Sequence, residues 1–120
     1  MSYIGYKSYY YVCDDLGTPI PVGAVTWEAW FETANRVVGY DKVHGNKIST
    51  VFLGIDHNFD GGIPILWETM IFGGEHDGYC RRYSSKSDAL EGHALAVLIA
   101  KGETTPEAVA EMLGNLEEGN

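Results

Sequence analysis

The sequence predicts an α+β fold, an antiparallel β-sheet built as a meander with helices packed against it. Three observations lead there. Two apolar runs of strand length, Ile48 to Ile55 and Ile63 to Phe72, flank a short acidic, glycine-bearing loop, Asp56 to Gly62. Strands joined so closely most economically form an antiparallel hairpin. Further strand-like runs, Val37 to Val43 and Tyr79 to Tyr83, stand on either side beyond turn-forming residues, and consecutive strands tend to pair. Helical spacing of apolar residues is confined to stretches before and after this block, which is the α+β layout.

Each element has a local reason. Ser2 to Cys13 carries Tyr3, Tyr6, Tyr9, Tyr10 and Tyr11 and has a strand composition. Asp14 to Pro19 is a turn, with Gly17 and Pro19 as breakers. Thr26 is the expected cap of a helix from about Trp27 to Arg36, with Glu28 in its first turn. Trp27, Trp30, Phe31 and Ala34 share a face of that helix, which is expected to be buried. His44-Gly45-Asn46 is a hairpin turn. In the central pair, Val51, Leu53 and Ile55 point one way and Ile48 and Phe52 the other. In its partner Ile65, Trp67 and Ile71 oppose Leu66, Met70 and Phe72. Strands apolar on both sides sit mid-sheet with cover on both faces, or on one face against a partner, and the rest of the chain is expected to supply that cover. The expected register sets Val51 opposite Met70 and Leu53 opposite Glu68. Gly73 to Gly78 is a polar loop. Ser84 or Ser85 caps a long helix ending at Lys101-Gly102, with Ala89, Leu90, His93, Ala94, Val97 and Leu98 as its stripe. Thr105 and Pro106 start a last helix to about Leu116, with Val109, Met112, Leu113 and Leu116 on one side. The tail from Glu117 to Asn120 is expected to fray.

Residues 1–120 form one expected domain, large enough for a core without metal or disulfide staples. Seventeen acidic against eight basic residues give a net charge of −9. That balance opposes direct nucleic-acid binding, whose phosphates call for Lys and Arg. It favours solubility and allows attraction to a basic protein surface. No apolar run has the length of a membrane span, and the first residues do not read as a signal peptide, so the expected location is cytoplasmic. Cys13 and Cys80 lack a metal-ligand spacing and are expected to be free thiols.

Two groups of residues could carry chemistry. Asp56-His57-Asn58-Phe59-Asp60-Gly61 fits the opening of an acidic calcium loop, with Asp56, Asn58 and Asp60 as the oxygen donors. The bidentate Glu that completes such a loop is missing: Trp67 holds its place and Glu68 follows one position late. The alternative is a loop of turn formers. The second group is His57, Glu68 and His93. Glu68 sits in the most apolar strand, where an unpaired carboxylate would be expensive, so it is expected at solvent or held by a partner such as His57, His93, Arg81 or Arg82. A His/Glu cluster could bind a divalent metal ion or do acid–base work, although a histidine on an apolar stripe is more often a satisfied core residue. No cofactor is otherwise expected, and no nucleophile motif is present.

On STVFLGIDHNF at Ser49 to Phe59, ILWETMIFGG at Ile65 to Gly74, and RYSS…A…GH from Arg82 through Ala89 to Gly92-His93, the chain resembles a family of small uncharacterised proteins of tailed bacteriophages and prophages. The resemblance covers Thr26 to about Ala100, leaving the Tyr-rich start and the acidic last helix as additions to a core of about 26–100. It highlights Asp56, His57, Glu68, Thr69 and His93, and carries no activity with it. It implies a phage accessory protein in the cytoplasm of a bacterial host that binds a host or phage protein, with countering a host defence as a narrower expectation. The alternative is a small metal-dependent hydrolase or ligand-binding protein built on His57, Glu68 and His93.

Overall fold

The computed structural model describes residues 9–118. In chain order these form β1 (Tyr10–Cys13), β2 (Pro19–Val22), α1 (Ala24–Thr33), β3 (Val37–Val43), β4 (Asn46–Phe52), β5 (Trp67–Phe72), β6 (Cys80–Tyr83), α2 (Lys86–Lys101) and α3 (Pro106–Glu118). Strands β3 to β6 make a four-stranded antiparallel meander in sequence order, and β1 and β2 make a separate two-stranded sheet. Helix α2 packs on the meander and α3 packs on α2. This is the predicted α+β architecture. Tyr3 and Tyr6 lie outside the described residues.

Turn chemistry fixes the meander. Val43 pairs with Asn46 across a two-residue turn, His44-Gly45, and both turn residues have positive φ, 51° and 83°. That is the twist-matched hairpin turn that glycine favours. The β4–β5 register is Val51 with Glu68 and Ser49 with Met70, two residues from the expected one. The shift is even, so every side chain keeps its face. It goes with a longer excursion after Leu53. Gly54 turns at φ 80°, and residues 54–56 bond to β1 and the residue before it through Tyr11 N–H to Gly54 O (2.9 Å) and Asp56 N–H to Tyr9 O (2.9 Å). Leu53 N–H still bonds to Leu66 O (2.6 Å), and after the excursion pairing with the β5 side resumes at His57 N–H to Ile65 O (3.0 Å).

Ile48, Thr50 and Phe52 of β4 and Trp67, Thr69 and Ile71 of β5 are buried and line the face under α2. The buried stripe of α2 is Ala89, Gly92, His93, Ala96 and Ile99. Leu90 and Ala94, expected on that stripe, are exposed. The rotation follows from Gly92: a Cβ there would run into the Tyr83 ring, so glycine is what lets helix and sheet approach. The ends of α2 are as expected. Ser85 caps it by accepting from Asp88 N–H (3.0 Å), and Gly102 closes it at φ 80° with N–H bonds back to the last turn.

Helix α1 differs from expectation. It begins at Ala24 after an N-cap at Gly23, three residues before the predicted start, and Thr26 makes no cap. Trp27, Trp30 and Phe31 cluster together but are only half-buried, and no residue of α1 is buried. The helix sits beside β1 rather than across the sheet, reaching the main core through Trp30 edge-on to Phe52 (5.8 Å). Strand β2 was not legible. Its sequence, Pro-Ile-Pro-Val, lacks two amide donors, and it survives as an edge strand beside β1. Helix α3 buries Val109 and Leu113, leaves Met112 exposed, and continues as helix through Glu118, past the expected onset of fraying.

Candidate functional site

The two faces of the meander are chemically different. On the covered face runs a chain of hydrogen-bonded side chains. His93 Nε2 lies 2.7 Å from Asp41 Oδ2, its Nδ1 lies 2.7 Å from Thr50 Oγ1, and Thr50 Oγ1 lies 2.5 Å from Thr69 Oγ1. With neutral His93 the carboxylate selects the Nε2–H tautomer. Thr69 O–H then donates to Thr50, whose O–H donates to Nδ1. In this His93–Thr50–Thr69 series each ring nitrogen and hydroxyl has a partner. A register shift between Val37 and Gly39 sets Gly39 under the imidazole, where a Cβ would lie 3.1 Å from the ring. The order Asp–His–Thr resembles a nucleophile relay, but Thr50 and Thr69 are fully buried and no substrate carbonyl can reach either hydroxyl. The arrangement instead ties α2 to β3, β4 and β5.

On the opposite face, cross-strand pairs place Val37, Val51, Glu68 and Arg82 in one row, Tyr40, Ser49, Met70 and Cys80 in the next, and Lys42, Lys47 and Phe72 in the third. Residues paired across strands share a face. Glu68 accepts from Arg82 Nε (2.9 Å) and from the Cys80 thiol (3.4 Å). Burial pushes the Cys80 thiol up, and the Glu68 hydrogen bond and charge push it further against the opposing pull of Arg82. Among the described residues no helix lies over this face. Val37, Tyr40 and Phe72 remain 51%, 55% and 46% exposed beside half-buried Val51 and Met70.

The third region is the loop after β4. Asp56 is fully buried, and its Oδ1 accepts from Asn58 N–H (2.8 Å) and Ile65 N–H (2.9 Å). Asn58 in turn donates from Nδ2 to Ile63 O (2.8 Å). Two of the three candidate calcium donors thus brace the loop itself, while Asp60 is exposed. His57 turns its Nδ1–H to Ile55 O (2.8 Å).

The structure therefore does not gather His57, Glu68 and His93. Glu68 is on the open face and His93 on the covered one, while His57 lies in the β4–β5 connection. Thr69 joins His93; Asp56 stands with the loop. Among the described residues no three His, Cys, Asp or Glu side chains converge as a metal-binding group. Asp41, Thr50, Tyr40 and Arg36 were not singled out from the sequence. The signal for Thr50 was available, since a threonine between Ile48 and Phe52 shares their buried face. Asp41 became visible only with the β3–β4 register. Comparison of the chain with family models, with curated proteins and with solved structures finds no match.

Proposed function

We propose that the protein is a small phage-type accessory protein that acts by binding a host or phage protein through the open face of its meander. The observation that carries this is the exposure of Val37, Tyr40 and Phe72 around half-buried Val51 and Met70 on one continuous sheet face. Contiguous apolar surface rimmed by polar groups is characteristic of interaction sites, and tyrosine is favoured at such interfaces. Lys42, Lys47 and Arg82 stand on this face against Glu68 alone, in a chain whose net charge is −9. A partner patch with an apolar centre and an acidic rim complements it. The net charge opposes nucleic acid in that role. Countering a host defence is the biological role that the resemblance to phage proteins suggests.

The test is affinity capture from phage-infected host cells with the natural chain and with a Tyr40→Ser/Phe72→Ser double variant. The natural chain is expected to retain a stoichiometric protein that the variant loses, while both melt at about the same temperature. Equal capture by both chains would place the partner elsewhere on the molecule.

A further inference from the structure

A cavity of about 380 Å³ lies at the seam between the β1–β2 hairpin, the end of α1, the start of β3 and the start of α2. Its size falls at the small end of ligand pockets, which favour junctions between structural units. It lies beside the covered face of the meander and reaches the β3 edge, where Val37 also lines it. Its apolar wall is aromatic: half-buried Trp30 lines it with the core rings Phe52 and Trp67 behind, each meeting the next edge-on, at 5.8 and 5.2 Å. Its polar wall brings two cations from different elements, Arg36 and Lys86, and two carboxylates from the β1–β2 turn, Asp14 and Asp15. Arg36 is held in place, donating from Nη1 to Phe52 O (2.9 Å) and stacking 4.1 Å above the Phe31 ring. Lys86, the first residue of α2, lays its stem over Gly17, where a Cβ would displace it. Its ammonium has no ion-pair or hydrogen-bond partner among the described residues.

Lys86 is half-buried as a residue, and its ammonium stays unpaired in a chain with 17 acidic residues. Asp14 and Asp15, which line the same cavity, are exposed to solvent and make no ion pair with it. Asp14 is engaged by its own turn, with Oδ1 accepting from Leu16 N–H and Thr18 N–H, both at 2.9 Å. Arg36 and Lys86 beside the aromatic wall, with Asp14 and Asp15 exposed to solvent rather than paired with them, suit a flat apolar body bearing a carboxylate. The ring would lie against the aromatic wall while the carboxylate accepts from Arg36 and Lys86, the charge-assisted contact that gives such sites their specificity.

We propose that this cavity binds a small aromatic carboxylate, anchored by Arg36 and Lys86. The Trp67 indole N–H is shielded from solvent and has no acceptor among the described residues, so it serves as a reporter at the cavity wall. The test follows the tryptophan indole N–H resonances by NMR while phenylacetate or phenethylamine is added; the two probes share a ring and chain length and differ in charge. Phenylacetate is expected to shift the Trp30 and Trp67 signals saturably, and phenethylamine to leave them in place. Lys86→Met keeps the apolar stem and is expected to weaken phenylacetate binding about tenfold, as loss of one charge-assisted contact implies. Lys86→Glu is expected to reverse the preference towards the amine. Thermal melts of both variants, expected to match the natural chain, show that the fold is intact. The proposal is overturned if neither probe shifts the signals, if both do so equally, if the amine alone does so, or if Lys86→Met binds phenylacetate as well as the natural chain.

Discussion

Asp56 and Asp60 belong to the same acidic motif, yet their surroundings assign them different work. Asp56 is buried with its carboxylate accepting from two backbone amides. Removing a buried acceptor leaves its donors unsatisfied, and hydrogen bonds to charged groups each contribute about 1.5–3 kcal/mol. Asp56→Ala is therefore expected to lower stability by about 3 kcal/mol or more. Asp60→Ala, at an exposed position, should stay within about 0.5 kcal/mol. Denaturant melts of both variants, with and without calcium, check this. A calcium-dependent stabilisation of the natural chain that either substitution abolishes would return the loop to the role of a cation site. Glu68 gives a milder case. Its predicted need for a partner is met by Arg82 at 2.9 Å, but half of Arg82 is exposed to solvent. Glu68→Gln should cost only about 1 kcal/mol, since screened ion pairs contribute little. A larger loss would mean that the carboxylate also orders the strand pair around Cys80.

Helix α1 shows where periodicity is informative and where it stops. The spacing of Trp27, Trp30 and Phe31 correctly puts three aromatics together, because helical geometry alone decides which residues share a face. Spacing cannot say how deeply that face is buried, since that depends on what the helix lies against. The β1–β2 hairpin claims α1, and its prolines hid it from the sequence reading. A fully buried aromatic costs about 3–5 kcal/mol when cut back to alanine. Trp30→Ala is expected to cost about 2 kcal/mol instead, for a half-buried ring with one edge-on partner, Phe52. A thermal melt reads the difference, and a cost in the full core range would show that the α1 seam is part of the central core. The meander was more legible than α1 because its signals are local. The His44-Gly45 turn, the Gly73 to Gly78 loop and the Ser85 and Gly102 caps each sit within a few residues of the structure they specify.

At the scale of the whole molecule, the sequence reading foresaw the sheet and its order but not which candidate residues would meet. Whether Glu68 and His93 meet depends on strand parity and on the rotation of α2, and that rotation is set by Gly92 against Tyr83, a contact between residues nine positions apart in sequence. The same packing places three groups in environments that favour their neutral forms. Burial raises Cys13, with Asp14 adding to it and Lys86 opposing. Burial raises Tyr79, with Arg81 opposing, and burial together with Glu68 raises Cys80. The ordinary thiol value is 9.0. Below it, thiols in the folded and unfolded chains are both protonated, and these groups add no pH dependence. Above it, the unfolded chain loses its thiol protons first and is favoured, so stability falls as pH rises through the raised folded values. Melting temperatures measured from neutral pH to beyond the ordinary tyrosine value of 10.0 should decline on the alkaline side. A Cys13→Ser/Cys80→Ser variant should decline less steeply from pH 9.0 upwards. If the variant's curve runs parallel to that of the natural chain, the thiols are not the origin of the decline, and mutual repulsion among the 17 acidic residues becomes the better explanation.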